Sequence, residues 1–159
     1  MKVLAFCTCV LALICFSSAE TTGERLKQAF SLEQDNFDNC LTANNMTAQD
    51  LYTDVNIVNG EHEGAENEER RKKNGCTLEC LLKAEGLMVG SDIKEGKVHA
   101  QISRTMNGNS MEGKAHKLAR DCIREVKNIT EECEKGFSLI VCLAKGGYKA
   151  RNHGEHERE

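Results

Sequence analysis

The chain has 159 residues, a formal net charge of −4, no proline, no tryptophan and few aromatic residues. Mild acidity argues against partners such as nucleic acids or anionic membrane surfaces. Few runs of β-branched residues alternate with the period of two that strands require, so the composition favours helices.

Residues 1–19 are predicted to be a signal peptide and not part of the fold. An apolar run follows Lys2 and ends in small residues up to Ala19, which is the pattern that precedes signal-peptidase cleavage. The run is shorter than the roughly 20 residues that cross a bilayer. We therefore expect a secreted, extracellular protein without membrane insertion, whose single domain covers residues 20–147.

The first half of this domain carries two helical patterns and one charged connector. An apolar stripe with helical spacing predicts a helix within residues 22–39. A capping-box pattern at Thr47 predicts a short helix through Val55. Residues 61–73 are mostly charged, with acids and bases at i, i+4 spacing, which is typical of a solvated connector.

Residues 74–86 predict a helix to which other segments are tied. Asn74 is a good N-cap, and Gly86 stands where a helix takes a left-handed residue after its last turn. Leu82 and Leu87 occupy the two positions whose side chains touch in a Schellman cap. This helix also carries two cysteines four positions apart, which therefore project from one face.

Three further helices are predicted in the second half. The patterns cover residues 94–106, a stripe from Ala115 to Val126, and residues 131–145. The last of these is apolar on nearly all sides, which indicates a position at the centre of the domain. Gly146 and Gly147 are expected to end it, and residues 148–159 then form a polar C-terminal tail without an apolar stripe.

Six cysteines remain after the signal peptide, and an even number in a secreted chain indicates three disulfides. They are Cys40, Cys76, Cys80, Cys122, Cys133 and Cys142. Six cysteines allow 15 pairings. Cys76 cannot easily bond Cys80 on one regular helix, and Cys133 lies about 13 Å from Cys142 along another. Ten pairings therefore remain open.

No motif for catalysis is found in the sequence. The glycines at residues 108–113 lack the spacing of a serine-hydrolase elbow, and there is no phosphate-binding loop or zinc-protease helix. His116 is expected on the solvent side of its helix, and the tail histidines offer no closed metal site. We expect no enzyme, no cofactor and no metal. Asn45 and Asn128 begin formal glycosylation sequons.

The cysteine spacing resembles that of a known family. Successive cysteines of the domain are separated by 35, 3, 41, 10 and 8 residues. In a helical chain behind a signal peptide, this pattern resembles the insect odorant-binding protein family of pheromone-binding and general odorant-binding proteins. The resemblance covers essentially the whole mature chain. Residues 73–88 further resemble the ant pheromone-binding-protein branch.

The resemblance implies an all-α, six-helix domain that is stapled by disulfides and encloses an apolar cavity. It implies the pairing Cys40–Cys80, Cys76–Cys133 and Cys122–Cys142. The implied function is reversible binding and carriage of small hydrophobic odorants or pheromones through aqueous fluid. We expect the cavity wall among the apolar residues that are not needed to pack the helix at residues 74–86. These are Ile57, Leu87, Val98, Ile102, Met106, Leu118, Phe137, Ile140 and Val141.

A different class of protein would share many of these features. A secreted helical structural or signalling protein would have a filled core and a protein partner, and a small secreted lipase is a third reading. A displaceable fluorescent apolar probe separates a carrier from a filled bundle. A carrier would have the small hydrophobic ligand as its partner, together with a membrane receptor or a second copy of the chain in a homodimer.

Overall fold

The computed structural model describes residues 32–156, and their side chains as far as residue 152. Its α-helices are α1 Gln34–Ala43, α2 Asp54–Val58, α3 Glu68–Ala84, α4 Glu95–Met106, α5 Glu112–Glu125 and α6 Glu132–His156. Short 3₁₀ turns lie at Ala48–Asp50 and Ala65–Asn67, and β1 Met88–Val89 pairs antiparallel with β2 Asp92–Ile93. The predicted all-α, six-helix domain with three disulfides is confirmed.

The fold is assembled around a close crossing of α3 and α6. A Cβ on Gly75 would stand 2.0 Å from the carbonyl oxygen of Cys133, and a Cβ on Gly136 would stand 2.3 Å from the carbonyl oxygen of Gly75. Side chains do not approach a backbone oxygen so closely, so the crossing requires glycine on both helices. Since α6 also packs against α2 and α5, the predicted central position of the last helix is confirmed.

The start of α3 differs from the prediction. The helix begins at Glu68, so Asn74 is a buried interior residue and not an N-cap. Its side-chain oxygen accepts a hydrogen bond from the backbone N–H of Tyr52 at 3.0 Å, and its amide donates to the carbonyl oxygen of Asp50 at 3.2 Å. The N-cap assignment was wrong because these partners lie more than 20 positions away in sequence, where local reading cannot find them.

The predicted C-terminal cap of α3 is confirmed. Gly86 has a φ of 66°, and its N–H donates to the carbonyl oxygen of Lys83 at 2.9 Å. The N–H of Leu87 donates to the carbonyl oxygen of Leu82 at 2.7 Å, which completes the hydrogen bonds of a Schellman motif. This cap turns the chain into the β1–β2 hairpin.

Three disulfides connect the helices. They join Cys40 of α1 to Cys80 of α3, Cys76 of α3 to Cys133 of α6, and Cys122 of α5 to Cys142 of α6. This is the pairing that the family resemblance implies. Neither α2 nor α4 contains a cysteine, so these two helices are held by packing and hydrogen bonds alone.

The predicted end of the last helix at Gly146 and Gly147 was wrong. α6 continues to His156, so the described part of the tail is helical. A Cβ on Gly146 would stand 2.2 Å from the Cδ1 atom of Leu118, so this glycine permits close packing against α5 and does not terminate the helix. Arg151 donates from Nη2 to the Oδ2 atom of Asp54 at 2.5 Å, which fixes the helix extension to α2.

An Arg151→Ala variant is expected to lose about 2 kcal/mol of its free energy of unfolding. The substitution removes a charged hydrogen bond from Asp54, whose side chain is only 7% exposed. Lys149→Ala is the matched control, because Lys149 is exposed on the same helix extension. Urea unfolding measures both variants, and equal stabilities would show that Arg151 does not anchor the extension.

Two other predicted boundaries need correction. The helix predicted within residues 22–39 lies partly outside the described residues, and its described part continues to Ala43. The capping box at Thr47 is present but opens only a single 3₁₀ turn. A second capping box, between Thr53 and Asn56, starts α2. The helices predicted at residues 94–106 and around the stripe that begins at residue 115 are confirmed as α4 and α5.

The expected signal peptide, residues 1–19, lies outside the described residues. Over residues 32–156, no helix is both long and apolar enough to cross a membrane.

Candidate functional site

A small cavity lies between α3, α4, α5 and α6, with β2 at its edge. All its lining side chains are apolar, namely Leu78, Leu82, Ile93, Val98, Ala119, Ile123, Leu139 and Leu143. A buried water molecule needs two to four polar partners, and none of these side chains offers one. The cavity therefore favours hydrocarbon over water.

Three helices each supply a pair of wall residues four positions apart. The pairs are Leu78 and Leu82 on α3, Ala119 and Ile123 on α5, and Leu139 and Leu143 on α6. Four residues advance a helix by about 400°, so both members of a pair project to nearly the same side. The wall is thus built from short apolar stripes that converge from three directions.

The cavity is very small in this structure. Its volume is about 20 Å³, which is room for about one water molecule. Sites for small organic ligands have volumes of about 300–1,000 Å³, so the wall must move outward before a ligand can enter. Ile93, Ile123 and Leu143 are only partly buried, so the cavity approaches the surface on their side.

The structure brings one of the nine predicted wall residues, Val98, to this cavity. Four others are buried elsewhere in the core, namely Ile57, Leu87, Ile102 and Ile140. Three are half-buried against the core, namely Met106, Leu118 and Val141. Contact between these residues and a ligand stays a prediction. The wall pairs that were missed were visible in the sequence as i, i+4 apolar pairs, but core pairs have the same spacing.

Phe137, the ninth predicted wall residue, lies in an aromatic cluster. Its ring centroid is 5.8 Å from that of Tyr52 and 5.8 Å from that of His62. Arg70 covers the Tyr52 ring at 4.1 Å from its centroid. Within the described residues, Tyr52 Oη and His62 Nδ1 are buried without a hydrogen-bond partner. Burial raises the pKa of Tyr52 and lowers the pKa of His62.

Stability is expected to fall as the pH drops below about 6.5, the ordinary pKa of histidine. Burial lowers the pKa of His62 in the folded state, so the unfolded chain binds more protons between the two pKa values. The contribution of neutral His62 to the free energy of unfolding is therefore complete above about pH 6.5. It is lost as the pH falls towards the lowered pKa. Urea unfolding across this range should give a smaller pH dependence for His62→Phe than for the parent. An identical slope in both proteins would contradict a buried, neutral His62.

The sequence predicted His116 on the solvent side of its helix, but in the structure its side chain packs against α4. Its side chain is 24% exposed, and its Nδ1 atom lies 2.8 Å from the Nδ1 atom of His99. Its Nε2 atom lies 3.0 Å from the Oγ atom of Ser103, so the ring joins α5 to α4. Among residues 32–156, no group of three or more His, Cys, Asp or Glu side chains is arranged to hold a metal ion.

The two sequon asparagines both lie on the surface. Asn45 is exposed in the turn after α1, with a φ of 51°, and Asn128 is exposed after α5. Both side chains are therefore accessible to modification, and their glycosylation stays a prediction.

The fold and the cavity together define a disulfide-stapled helical protein with an enclosed apolar site. A model of the PBP/GOBP family matches residues 19–146. The chain belongs to this family, and the resemblance to insect odorant-binding proteins stated from its cysteine spacing is confirmed.

Curated proteins from ants of the genus Solenopsis are among the relatives of this chain. The chain is 29% identical over 143 residues to "Pheromone-binding protein Gp-9" of Solenopsis globularia littoralis, which covers 90% of this chain and 89% of that protein. It is 27% identical over 143 residues to the proteins of the same name from Solenopsis nigella gensterblumi and Solenopsis electra, covering 90% of this chain and 91% of each. The predicted likeness to the ant branch is confirmed. No solved structure matches the chain.

Proposed function

We propose that the protein is an extracellular carrier that reversibly binds small hydrophobic odorants or pheromones and transports them through aqueous fluid. The observation that carries this proposal is the wholly apolar cavity between α3, α4, α5 and α6. An apolar molecule that leaves water for such a site gains about 25 cal/mol for each Å² of buried surface. Membership of the PBP/GOBP family and relatives named pheromone-binding proteins support the same reading.

The ligand enters by displacement of α4. Disulfides tie α3 to α6 and α5 to α6, so three walls of the cavity are covalently connected. The fourth wall is α4, which carries Val98 and contains no cysteine. Its neighbours in sequence are the short β1–β2 hairpin and the turn at residues 107–111, which can absorb a movement. Opening on this side enlarges the cavity while the disulfides preserve the rest of the domain.

Secretion is part of this proposal, and two features support it. Three disulfides are typical of proteins that fold in an oxidising compartment. The family match begins at residue 19, where the predicted signal peptide ends. We therefore expect the carrier to act outside the cell, where a hydrophobic ligand has to cross water.

Two variants with the same substitution test the cavity. Val98→Phe fills the cavity from α4, whereas Val89→Phe adds the same ring at a position that is 61% exposed. We expect Val98→Phe to weaken binding of a fluorescent apolar probe at least about tenfold, or about 1.4 kcal/mol. Val89→Phe should bind the probe like the parent. Circular dichroism confirms that both variants are folded.

The test has three informative outcomes. Displaceable binding by the parent and its loss in Val98→Phe support the carrier. Equal binding of the probe by the parent and by folded Val98→Phe would show that the cavity is not the binding site. A parent protein that binds no apolar probe would instead favour the filled helical bundle with a protein partner.

A further inference from the structure

A second, open cleft adjoins the apolar cavity. It has a volume of about 430 Å³, and its lining includes Ile93 and Ile123, which also line the cavity. Both side chains are only partly buried, and each of them lines both spaces. A molecule that passes between these isoleucines would have one end in apolar surroundings and the other end in the cleft.

The cleft carries an excess of positive charge. Its charged lining residues are Asp92, Glu95, Arg120, Arg124, Lys127 and Lys135. Both acids are already engaged, because Asp92 pairs with Lys94 at 2.5 Å and Glu95 lies 4.0 Å from Arg120. The other three cations of the cleft are Arg124, Lys127 and Lys135, and none of them forms an ion pair with another described residue. The cleft therefore favours the binding of an anion.

Lys135 is the buried cation of the cleft, with only 5% of its surface exposed. Its ammonium group donates to the carbonyl oxygen of Ser91 at 2.5 Å and to that of Lys127 at 3.3 Å. Both acceptors are neutral, and an ammonium group has three N–H donors. One donor and the whole positive charge thus remain for a further partner. A buried charge without a counter-ion is unfavourable, so an anion at this point would stabilise it.

The acid beside Lys135 responds to the same charge. The pKa of Asp92 is lowered, mainly by its hydrogen bond with Lys94 and further by the charges of Lys135 and Lys127. A second carboxylate in the cleft would meet the same positive potential.

We propose that the ligand is an amphiphile with a carboxylate head and a hydrocarbon chain. The head accepts a hydrogen bond from the ammonium group of Lys135, with Arg124 and Lys127 at the exposed rim of the cleft. The chain passes Ile93 and Ile123 into the apolar cavity. This inference rests on the proposed carrier function and specifies its ligand class as long-chain carboxylic acids.

A matched pair of ligands tests the inference. Dodecanoate and dodecanol have the same chain and differ in the head, and the acid is ionised at about pH 7. Displacement of an apolar fluorescent probe should show that the parent binds dodecanoate about tenfold more tightly, or by about 1.4 kcal/mol. Acetate, which has the head without the chain, should not displace the probe.

Three variants test which residues cause the preference for dodecanoate over dodecanol. Lys135→Met removes the charge and keeps the length of the side chain, so it should bind dodecanoate and dodecanol equally. The double variant Arg124→Gln/Lys127→Gln changes only exposed side chains and should reduce the preference two- to threefold. Lys149→Gln removes an exposed cation outside the cleft and should leave the preference unchanged.

The outcomes separate this inference from the carrier function. Equal binding of dodecanoate and dodecanol by the parent would contradict the proposed carboxylate head, and the proposed carrier function would still stand. Failure of the parent to bind the probe and both ligands overturns the carrier itself. If Lys135→Met does not fold, the rim double variant decides, and an unchanged preference in it would contradict the cationic cleft. Higher salt should weaken dodecanoate binding and spare dodecanol.

Discussion

A Gly75→Ala variant is expected to lose at least about 3 kcal/mol of its free energy of unfolding. The added Cβ would stand 2.0 Å from the carbonyl oxygen of Cys133 and 2.9 Å from the Cβ of Phe137. Neither atom can rotate away, because one belongs to the main chain of α6 and the other is attached to it. The two helices must therefore separate at the crossing on which the fold is assembled. Equilibrium unfolding in guanidinium chloride, followed by circular dichroism, measures the loss.

Gly96→Ala is the matched control for this prediction. Gly96 is exposed in the first turn of α4, and nothing lies within 4 Å of the position that its Cβ would take. Alanine has the higher helix propensity, so this variant should gain about 0.5 kcal/mol. If Gly75→Ala were as well tolerated as Gly96→Ala, the close approach of α3 and α6 would be incorrect.

Replacement of Cys76 and Cys133 by alanine is expected to cost about 4 kcal/mol. The disulfide connects residues 57 positions apart, and its removal restores the conformational entropy of that loop in the unfolded chain. The same replacement of Cys122 and Cys142, which are 20 positions apart, should cost about 3 kcal/mol. Denaturant unfolding of the two double variants gives both values.

Chemical analysis of the parent provides the control for the disulfides. Protein without the predicted signal peptide should take up no alkylating reagent before reduction, and peptide mapping should link Cys76 to Cys133. A free thiol, or a bond between Cys76 and Cys80, would contradict the pairing in the structure. A double variant of Cys76 and Cys133 as stable as the parent would show that this bond contributes little to the fold.

Features that depend on neighbours in sequence could be predicted, and features that depend on distant partners could not. The Schellman cap at Gly86 was predictable because its hydrogen bonds join residues three and five positions apart. Asn74 was misassigned because the backbone of Tyr52, its buried partner, lies 22 positions away. Gly146 was read as a helix end because its role, the close approach of Leu118, exists only in the packed structure.

The candidate site follows the same division. Val98 was predicted as a wall residue because its stripe on α4 was visible in the sequence. Leu78 and Leu139 were not predicted, since an apolar pair at i, i+4 spacing looks the same whether it faces a cavity or a filled core. The buried position of Lys135 was also invisible, because its carbonyl partner on Ser91 is 44 positions away. Packing between helices decides these cases, and no short segment encodes it.

A methyl NMR titration of the protein with dodecanol tests the central claim most directly. The claim is that a small apolar ligand enters the cavity between α3, α4, α5 and α6. Saturable shifts should appear at the methyl groups of Leu78, Val98 and Leu139, and the exposed Val55 should remain unchanged. Methyl signals of these three wall residues that stay fixed while the ligand binds elsewhere, or the absence of any saturable shift, would contradict the account.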